Sequence, residues 1–450
     1  MREGDKILGI SDIGIYVPAP ALSLKTLVER RVRLNPRLDR HLERACRVTG
    51  QQIIRFPEIW EDTATLAASA ANVLFERGMN PRSIRHVAVG TESTVDHSKP
   101  ISAYVQGMLQ SAGVDLPGSL SSFQVQHACA GGTMALLSVA GMLATAGRPG
   151  ETGLVISSDI ARYETESTAE ITQGAGAVAL AVEERPRLIE LDLSSVGFHS
   201  ADVDDFFRPL GSATARVNGS FSMRCYGESL EAAFLDHCAR AGDEPERVLR
   251  ETDFFVLHTP FRNMPESALE KLLAKVLGFD AARAHALLAE KSLAAGTDPL
   301  ARIGNLYAAS LTAALAFLLE DRWKALGSGI VGKSVLLASY GSGNTMAVLR
   351  GRIAPDAPSV IAGWNLQRVF DSARPALFEE YDAWTTGPVQ PELYDRLMEN
   401  ATVPPGAFAL SAIRKDGYRE YKFAARAPVS DRGEEREAPD DLHGSVAISG

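Results

Sequence analysis

Cys129 stands in the run His127-Ala128-Cys129-Ala130-Gly131-Gly132-Thr133, between an apolar strand-like stretch, Phe123 to Val125, and a helix-like stretch, Met134 to Ala146. A thiol at such a junction meets unpaired backbone N–H groups and the positive end of a helix dipole. Those groups favour a thiolate and can hold the oxyanion formed when a thioester is attacked. Gly131 and Gly132 are expected to let a substrate approach the backbone. An isolated cysteine is more often a small buried hydrophobe, but this one has company. Glu92 ends one buried strand-like run, His258 ends another, and Asn305 opens a run rich in small residues. Taken singly, each has a commoner reading: a solvated carboxylate, a core imidazole satisfied by a carbonyl, a helix cap. Gly341-Ser342-Gly343 alone is a tight turn.

The elements that must position these groups alternate between strand and helix patterns. Ile7 to Val17 reads as a strand closed by Pro18 and Pro20, Thr63 to Arg77 as a helix, and His86 to Thr91 as a short buried strand. Leu154 to Ser158, Ala177 to Val182 and Leu188 to Val196 read as further strands, with a turn at Arg185-Pro186-Arg187 marking a midpoint. The second half repeats the scheme: a strand from Phe254 to Leu257, a helix from Asn305 to Leu319, and a strand from Val335 to Ala338 entering the turn Tyr340 to Asn344. The halves read as an internal duplication in which Glu92 matches His258 and Cys129 matches Asn305. Open α/β sheets build their sites at strand ends and helix starts, so the four residues are expected to share one crevice. The boundaries drawn are 1–185 for the first half, 186–426 for the second, and 427–450 for a charged flexible tail.

Composition narrows the function classes. The chain has 450 residues, a formal net charge of -10, 45% hydrophobic and 23% charged residues. That length calls for two cores or two halves around one sheet system. The acidic balance argues against nucleic acid and anionic membrane surfaces as partners, and no apolar run of the roughly 18 residues of a membrane span is read. The start of the chain does not read as a signal peptide. Cys46, Cys129, Cys225 and Cys238 lack metal-type spacing, which points to reduced cytoplasmic thiols and to neither a disulfide framework nor a zinc site; no metal and no cofactor are expected.

An ordered set of segments carries a specific resemblance. They are Gly90-Thr91-Glu92-Ser93 with Asp96 and Lys99, Ala128-Cys129 with Gly131-Gly132-Thr133, Ser158 to Tyr163, and Thr172 to Ala177. They continue with Asp205 to Pro209, His258 to Phe261, Gly304 to Tyr307 and Ser339 to Gly343, and more loosely with Lys415 to Tyr418. The chain resembles the 3-hydroxy-3-methylglutaryl-CoA (HMG-CoA) synthases of the thiolase superfamily. The resemblance implies a layered αβαβα fold of two pseudo-duplicated halves, a homodimer, and the condensation of acetyl-CoA with acetoacetyl-CoA in the mevalonate route to isoprenoids.

On that resemblance Cys129 takes the acetyl group, Glu92 removes a methyl proton, and His258 with Asn305 orients the acetoacetyl acceptor. Gly341, Ser342, Thr133 and Tyr163 line the acyl pocket and oxyanion site, while Asp159 and Asp205 support it. Three positions depart from the family pattern. Ala130 stands where many members have Tyr, which is expected to leave space in the acetyl pocket. Asn263 replaces a Lys near the CoA phosphates, with Arg262 the expected substitute. Glu170 is followed by Ile171, where a Glu-Pro pair is common. Asn263 keeps open a carrier-protein version of the condensation, used in polyketide β-branching. A β-ketoacyl synthase III-like enzyme and an inactive scaffold are the remaining alternatives.

Overall fold

Ten strands form one continuous sheet in this computed structural model, which describes residues 6–386, 391–399 and 401–425. The tail drawn at 427–450 lies outside the described residues. In the first half, β1 (Leu8–Tyr16), β2 (Ile84–Gly90), β3 (Ser121–Val125), β4 (Thr152–Ala161) and β5 (Gly174–Glu184) lie in the order β3-β2-β4-β5-β1. Here β2 runs parallel to β3 and β4, and β4, β5 and β1 then pair antiparallel. After β6 (Ile189–Leu191), the second half contributes β7 (Gly197–Ser200), β8 (Phe254–Leu257), β9 (Ser334–Gly341) and β10 (Thr345–Ile353). The same pattern recurs: β8 is parallel to β9, and β9, β10 and β7 pair antiparallel. The short β6 pairs with both β1 and β10 and joins the halves.

Strand alternation fixes the layers. Val256 and Phe254 of β8, with Val335 and Leu337 of β9, face a core built on two helices, α2 (Gly131–Ala146) and α4 (Ser310–Leu326), following α1 (Thr63–Glu76) and α3 (Gly219–Ala241) in the chain. Their neighbours Phe255, Leu257 and Leu336 point the other way, onto α3. In the first half Val87, Val89, Leu154 and Ile156 pack on α1, while Ala88 and Val155 face the α2–α4 layer. Period-two side-chain placement therefore gives five layers, α1, sheet, α2 with α4, sheet, α3. This is the layered thiolase-like fold.

Protein surrounds α4 through its first three turns, whereas α2 keeps an exposed side at Ser138 and at Ala144 to Ala146. All residues from Ser310 to Glu320 are buried. The stretch Ala128–Ala146 is long and apolar enough by composition to cross a membrane, correcting the reading that no such run exists, but here it is a core helix. Its Leu136, Val139 and Leu143 sit in the central core, where truncating a Leu to Ala typically costs about 2–5 kcal/mol. The strand expected from Leu188 to Val196 stops at Leu191, because the Asp192 carboxylate accepts from Ser194 N–H (3.1 Å) and from the Ser194 and Ser195 hydroxyls (both 2.6 Å). The helix expected to begin at Asn305 begins at Ser310 instead. Cys225 and Cys238 are packed in the α3 core and Cys46 is half-buried, all three as free thiols.

Candidate active site

Cys129 lies between β3 and α2, held by a tight turn in which Ala130 N–H donates to the His127 carbonyl at 2.9 Å. Ala128 before it has φ of 40°, a left-handed backbone that costs a non-glycine residue about 1–3 kcal/mol. The glycines expected to admit substrate admit protein instead. A Cβ on Gly132 would stand 2.0 Å from Ser157 Oγ, and one on Gly90 would stand 2.2 Å from Gly132 N. Strand β2 thus approaches the start of α2 backbone to backbone. Gly341 makes a similar approach from the second half, where a Cβ would meet Ala130 Cβ and the His127 carbonyl at 2.7 Å.

That contact corrects the expectation at position 130. Ala130 is fully buried against the end of β9, so no open space is left at its side chain. Aromatic rings supply the wall elsewhere. Tyr163, Phe206 and Tyr307 pack edge to face beside Cys129, with ring centroids 5.7–6.3 Å apart.

Glu92 follows β2 and reaches the same place. Its charge acts on the Cys129 thiol and on the Tyr163 and Tyr307 phenols. Its backbone N–H donates to Asp159 Oδ1 at 2.8 Å, and that oxygen also accepts from Thr91 Oγ1 and from the Ser93 amide and hydroxyl. Asp159 Oδ2 accepts from Ala308 N–H at 2.9 Å, tying the Glu92 loop to the start of α4. Asp205 does the equivalent service in the second half, accepting from Ser222 Oγ, Tyr340 Oη and Gly343 N–H. Both supporting carboxylates are fully buried and partnered, so they shape the site's loops.

His258 caps the C-terminal end of β8, where its N–H donates to the Ala338 carbonyl at 2.8 Å. Its carbonyl accepts from Tyr226 Oη, and its Nδ1 is buried without a partner. Asn305 uses its Oδ1 to accept from Tyr307 N–H (2.8 Å) and Ser310 Oγ (3.3 Å). Asn305 is therefore not the cap of α4, which Ala309 precedes: its oxygen closes the turn before the helix, and its amide interacts with the Tyr163 phenol. Cys129, His258, Asn305, Tyr163 and Ser342 line one cavity of about 620 Å³. Thr133 is buried in the first turn of α2.

Electrostatics decide the resting protonation. Burial pushes the Cys129 thiol well above its ordinary range, and Asp159, Glu92 and Asp205 add to that rise. Burial therefore works against the thiolate that the helix start favours. Burial lowers His258 to about 3, so its imidazole is neutral. Burial raises Glu92 to about 8, opposed by Arg208 and assisted by Asp159.

Two expected phosphate contacts lie elsewhere. Arg262 donates to Asp298 (2.8 Å) and Glu266 (2.7 Å), and neither it nor Asn263 lines the cavity. The Asn263 amide donates to the Val48 carbonyl, fastening the end of the helix Asp39–Thr49. That helix brings His41 and Arg44 to the cavity, and Arg216 faces it from the hairpin Phe206–Phe207 and Arg216–Val217. Among the described residues no carboxylate pairs with Arg44 or Arg216. Glu170 is a structural acid, fully buried, taking a 2.7 Å bond from Arg31 Nη2. Sequence reasoning missed Arg44, Arg216, Tyr226, Phe206 and the contact between Arg208 and Glu92. Only the arginine-dense run from Arg30 to Arg47 gave a signal.

Comparisons with known proteins agree along most of the chain. Residues 5–186 match the family described as hydroxymethylglutaryl-coenzyme A synthase N terminal, and residues 189–300 match its C-terminal counterpart. The hydroxymethylglutaryl-CoA synthase of Enterococcus faecalis is 29% identical over 378 residues, covering 84% of this chain and 91% of its own. The solved structure of MvaS in complex with 3-hydroxy-3-methylglutaryl coenzyme A superposes with a TM-score of 0.80 at 32% identity, covering 93% of this chain and 99% of that one. The curacin pathway HMG synthase, solved in complex with holo donor-ACP, shares the fold with a TM-score of 0.77 at 23% identity, covering 93% and 100%.

Proposed function

Because this chain belongs to the hydroxymethylglutaryl-CoA synthase family of acyltransferase-type condensing enzymes, we propose that it joins acetyl-CoA and acetoacetyl-CoA to give 3-hydroxy-3-methylglutaryl-CoA. The observation that carries this reading is the shared cavity of Cys129, His258 and Asn305, with the Glu92 carboxyl close enough to act electrostatically on the thiol. Cys129 Sγ attacks the acetyl carbonyl, the bond to CoA sulfur breaks, and the thiol proton leaves with CoA. Ionised Glu92 takes a proton from the methyl of acetyl-Cys129. The enolate carbon bonds to C3 of the acetoacetyl thioester, whose ketone oxygen is held by the neutral His258 imidazole and the Asn305 amide. The proton on Glu92 returns to the new alkoxide. Water then cleaves the Cys129 thioester, its oxygen entering the product carboxyl and one hydrogen returning to Sγ.

Purified protein incubated with acetyl-CoA and acetoacetyl-CoA tests this: free CoA and HMG-CoA should appear together, and their absence would exclude the reading. We extend the proposal to a homodimer through β3, which among the described residues is an edge strand paired only with β2 and half-exposed along its length. The mevalonate route is the expected context.

A second reading has its own observation. The helices Leu24–Leu34 and Asp39–Thr49, with the turn Pro36–Leu38 between them, present Arg33, Arg37, Arg40 and Arg44, none ion-paired among the described residues, beside exposed Leu34 and Val48. Such a surface on an acidic protein fits an acidic carrier delivering the acceptor on its phosphopantetheine arm. Turnover of acetoacetyl carrier protein without turnover of acetoacetyl-CoA would establish it.

A further inference from the structure

Glu92 and Arg208 come from opposite halves of the molecule and meet at 2.5 Å, Nη2 to Oε2, with side chains only 7% and 19% exposed. This ion pair stands on two independently built supports. The Glu92 loop is hung on Asp159, whose Oδ1 takes its N–H. Arg208 follows Phe206–Phe207 in the short hairpin, which is pinned where the Asp205 carbonyl accepts Asn218 N–H and the Asp205 carboxylate holds α3 and the turn after β9.

Among the described residues Glu92 is the one acid that pairs with Arg208. Its Nε is buried without a partner. Arg162 lies near enough to repel it, and the Arg162 guanidinium stacks 4.5 Å over Trp384 with no carboxylate partner among the described residues. The groups that face Glu92 from the packed elements are Asp159 on β4, Cys129 before α2, Tyr163 after β4, Tyr307 before α4 and Arg208. Arg208 is the one cation among them.

We propose that Arg208 is a positioning residue for the condensation, holding the Glu92 carboxylate in place beside acetyl-Cys129 and stabilising its anionic form. The inference rests on the function proposed above and deepens it. A buried carboxyl beside Asp159 favours the neutral acid, which cannot take a methyl proton. A guanidinium bonded through Nη2 opposes that preference, and the hairpin that carries it is anchored at Asp205. Proton abstraction is thereby linked to the half that binds the acceptor.

The test titrates Glu92 directly, by carbon-13 NMR of protein labelled at the glutamate carboxyls, with Glu92→Gln identifying its signal. In Arg208→Gln the Glu92 midpoint should move at least one pH unit upward, a tenfold rise in proton affinity, with Arg208→Lys intermediate. The acid limb of kcat for acetyl-CoA with acetoacetyl-CoA should move upward by the same interval, with activity returning at alkaline pH. An unmoved midpoint, or a loss of kcat uniform across pH, would overturn the proposal and leave Arg208 a purely structural residue. If Arg208→Gln does not fold, Arg208→Lys gives the same titration. Wild-type protein that forms no HMG-CoA would defeat the functional reading, whereas the titration alone decides the role of Arg208.

Discussion

Ala128 and Tyr307 occupy equivalent places: each stands three residues before a central helix, α2 or α4, and each holds a left-handed backbone, at φ 40° and 42°. The residue after each is then equivalent too, which pairs Cys129 with Ala308. The duplication therefore aligns Cys129 three positions later in the second half than Asn305, and Ala308 N–H serves Asp159 where Cys129 carries the thiol. One half keeps a nucleophile at this corner and the other keeps only the corner.

Cys129 should be the acylated residue. Radiolabelled acetyl-CoA is expected to label wild type covalently and to leave Cys129→Ala unlabelled. Label remaining on the alanine variant would remove Cys129 from the mechanism.

Glu92→Gln should still accept the acetyl group but lose condensation by at least about 100-fold, the usual scale for a missing general base. In wild type the condensation rate should climb with pH through about 8, because Glu92 works only after losing its proton and burial holds that proton until then. Single-turnover measurements on pre-acetylated enzyme between pH 6 and 9.5 check this. A flat profile would contradict it.

Asp159→Asn keeps an oxygen for the Glu92 loop but turns an amide N–H toward the Ala308 N–H, setting donor against donor. Leaving that buried donor unsatisfied should cost about 1–3 kcal/mol, seen as a lower midpoint in urea unfolding. An unchanged midpoint would show that the link between the halves is redundant.

Arg44→Ala and Arg216→Ala should each raise the Michaelis constant for acetoacetyl-CoA, by about tenfold for a charge-assisted phosphate contact. Both are exposed, so the effect should shrink at high salt. Asn263→Lys should bring no gain, because Asn263 holds the Val48 carbonyl and does not line the cavity. A lower Michaelis constant in that variant would reverse the assignment.

Ala130→Tyr should destabilise the protein by about 1–3 kcal/mol through overpacking against Gly341, measured as a loss in Tm. A stable, fully active tyrosine variant would show that the end of β9 can move aside.

Much of this architecture was legible in the residue order. Phe254 to Leu257 is an uninterrupted apolar run between polar residues and forms a strand with those bounds. Cys129 and Asn305 announce themselves by residue type at helix approaches. What failed was whatever depends on distant partners. The glycines beside Cys129 look like substrate clearance until β2 and Ser157 are seen filling it. Arg262 is a free cation on paper and a doubly paired one in space, because Asp298 arrives from 36 residues downstream. Local pattern likewise gives no measure of how thoroughly the thiol is buried, and that burial outweighs the helix start in setting its protonation.

The neutrality of His258 has a physiological corollary. With burial keeping the imidazole uncharged down to about pH 3 and pushing the Cys129 thiol up, Glu92 is, of these three groups, the one raised only to about 8. The response to acidification is then a one-sided decline instead of a bell. On the proposed function, acidification is expected to slow carbon–carbon bond formation while leaving acetyl transfer to Cys129 in place, so that acetyl-enzyme accumulates.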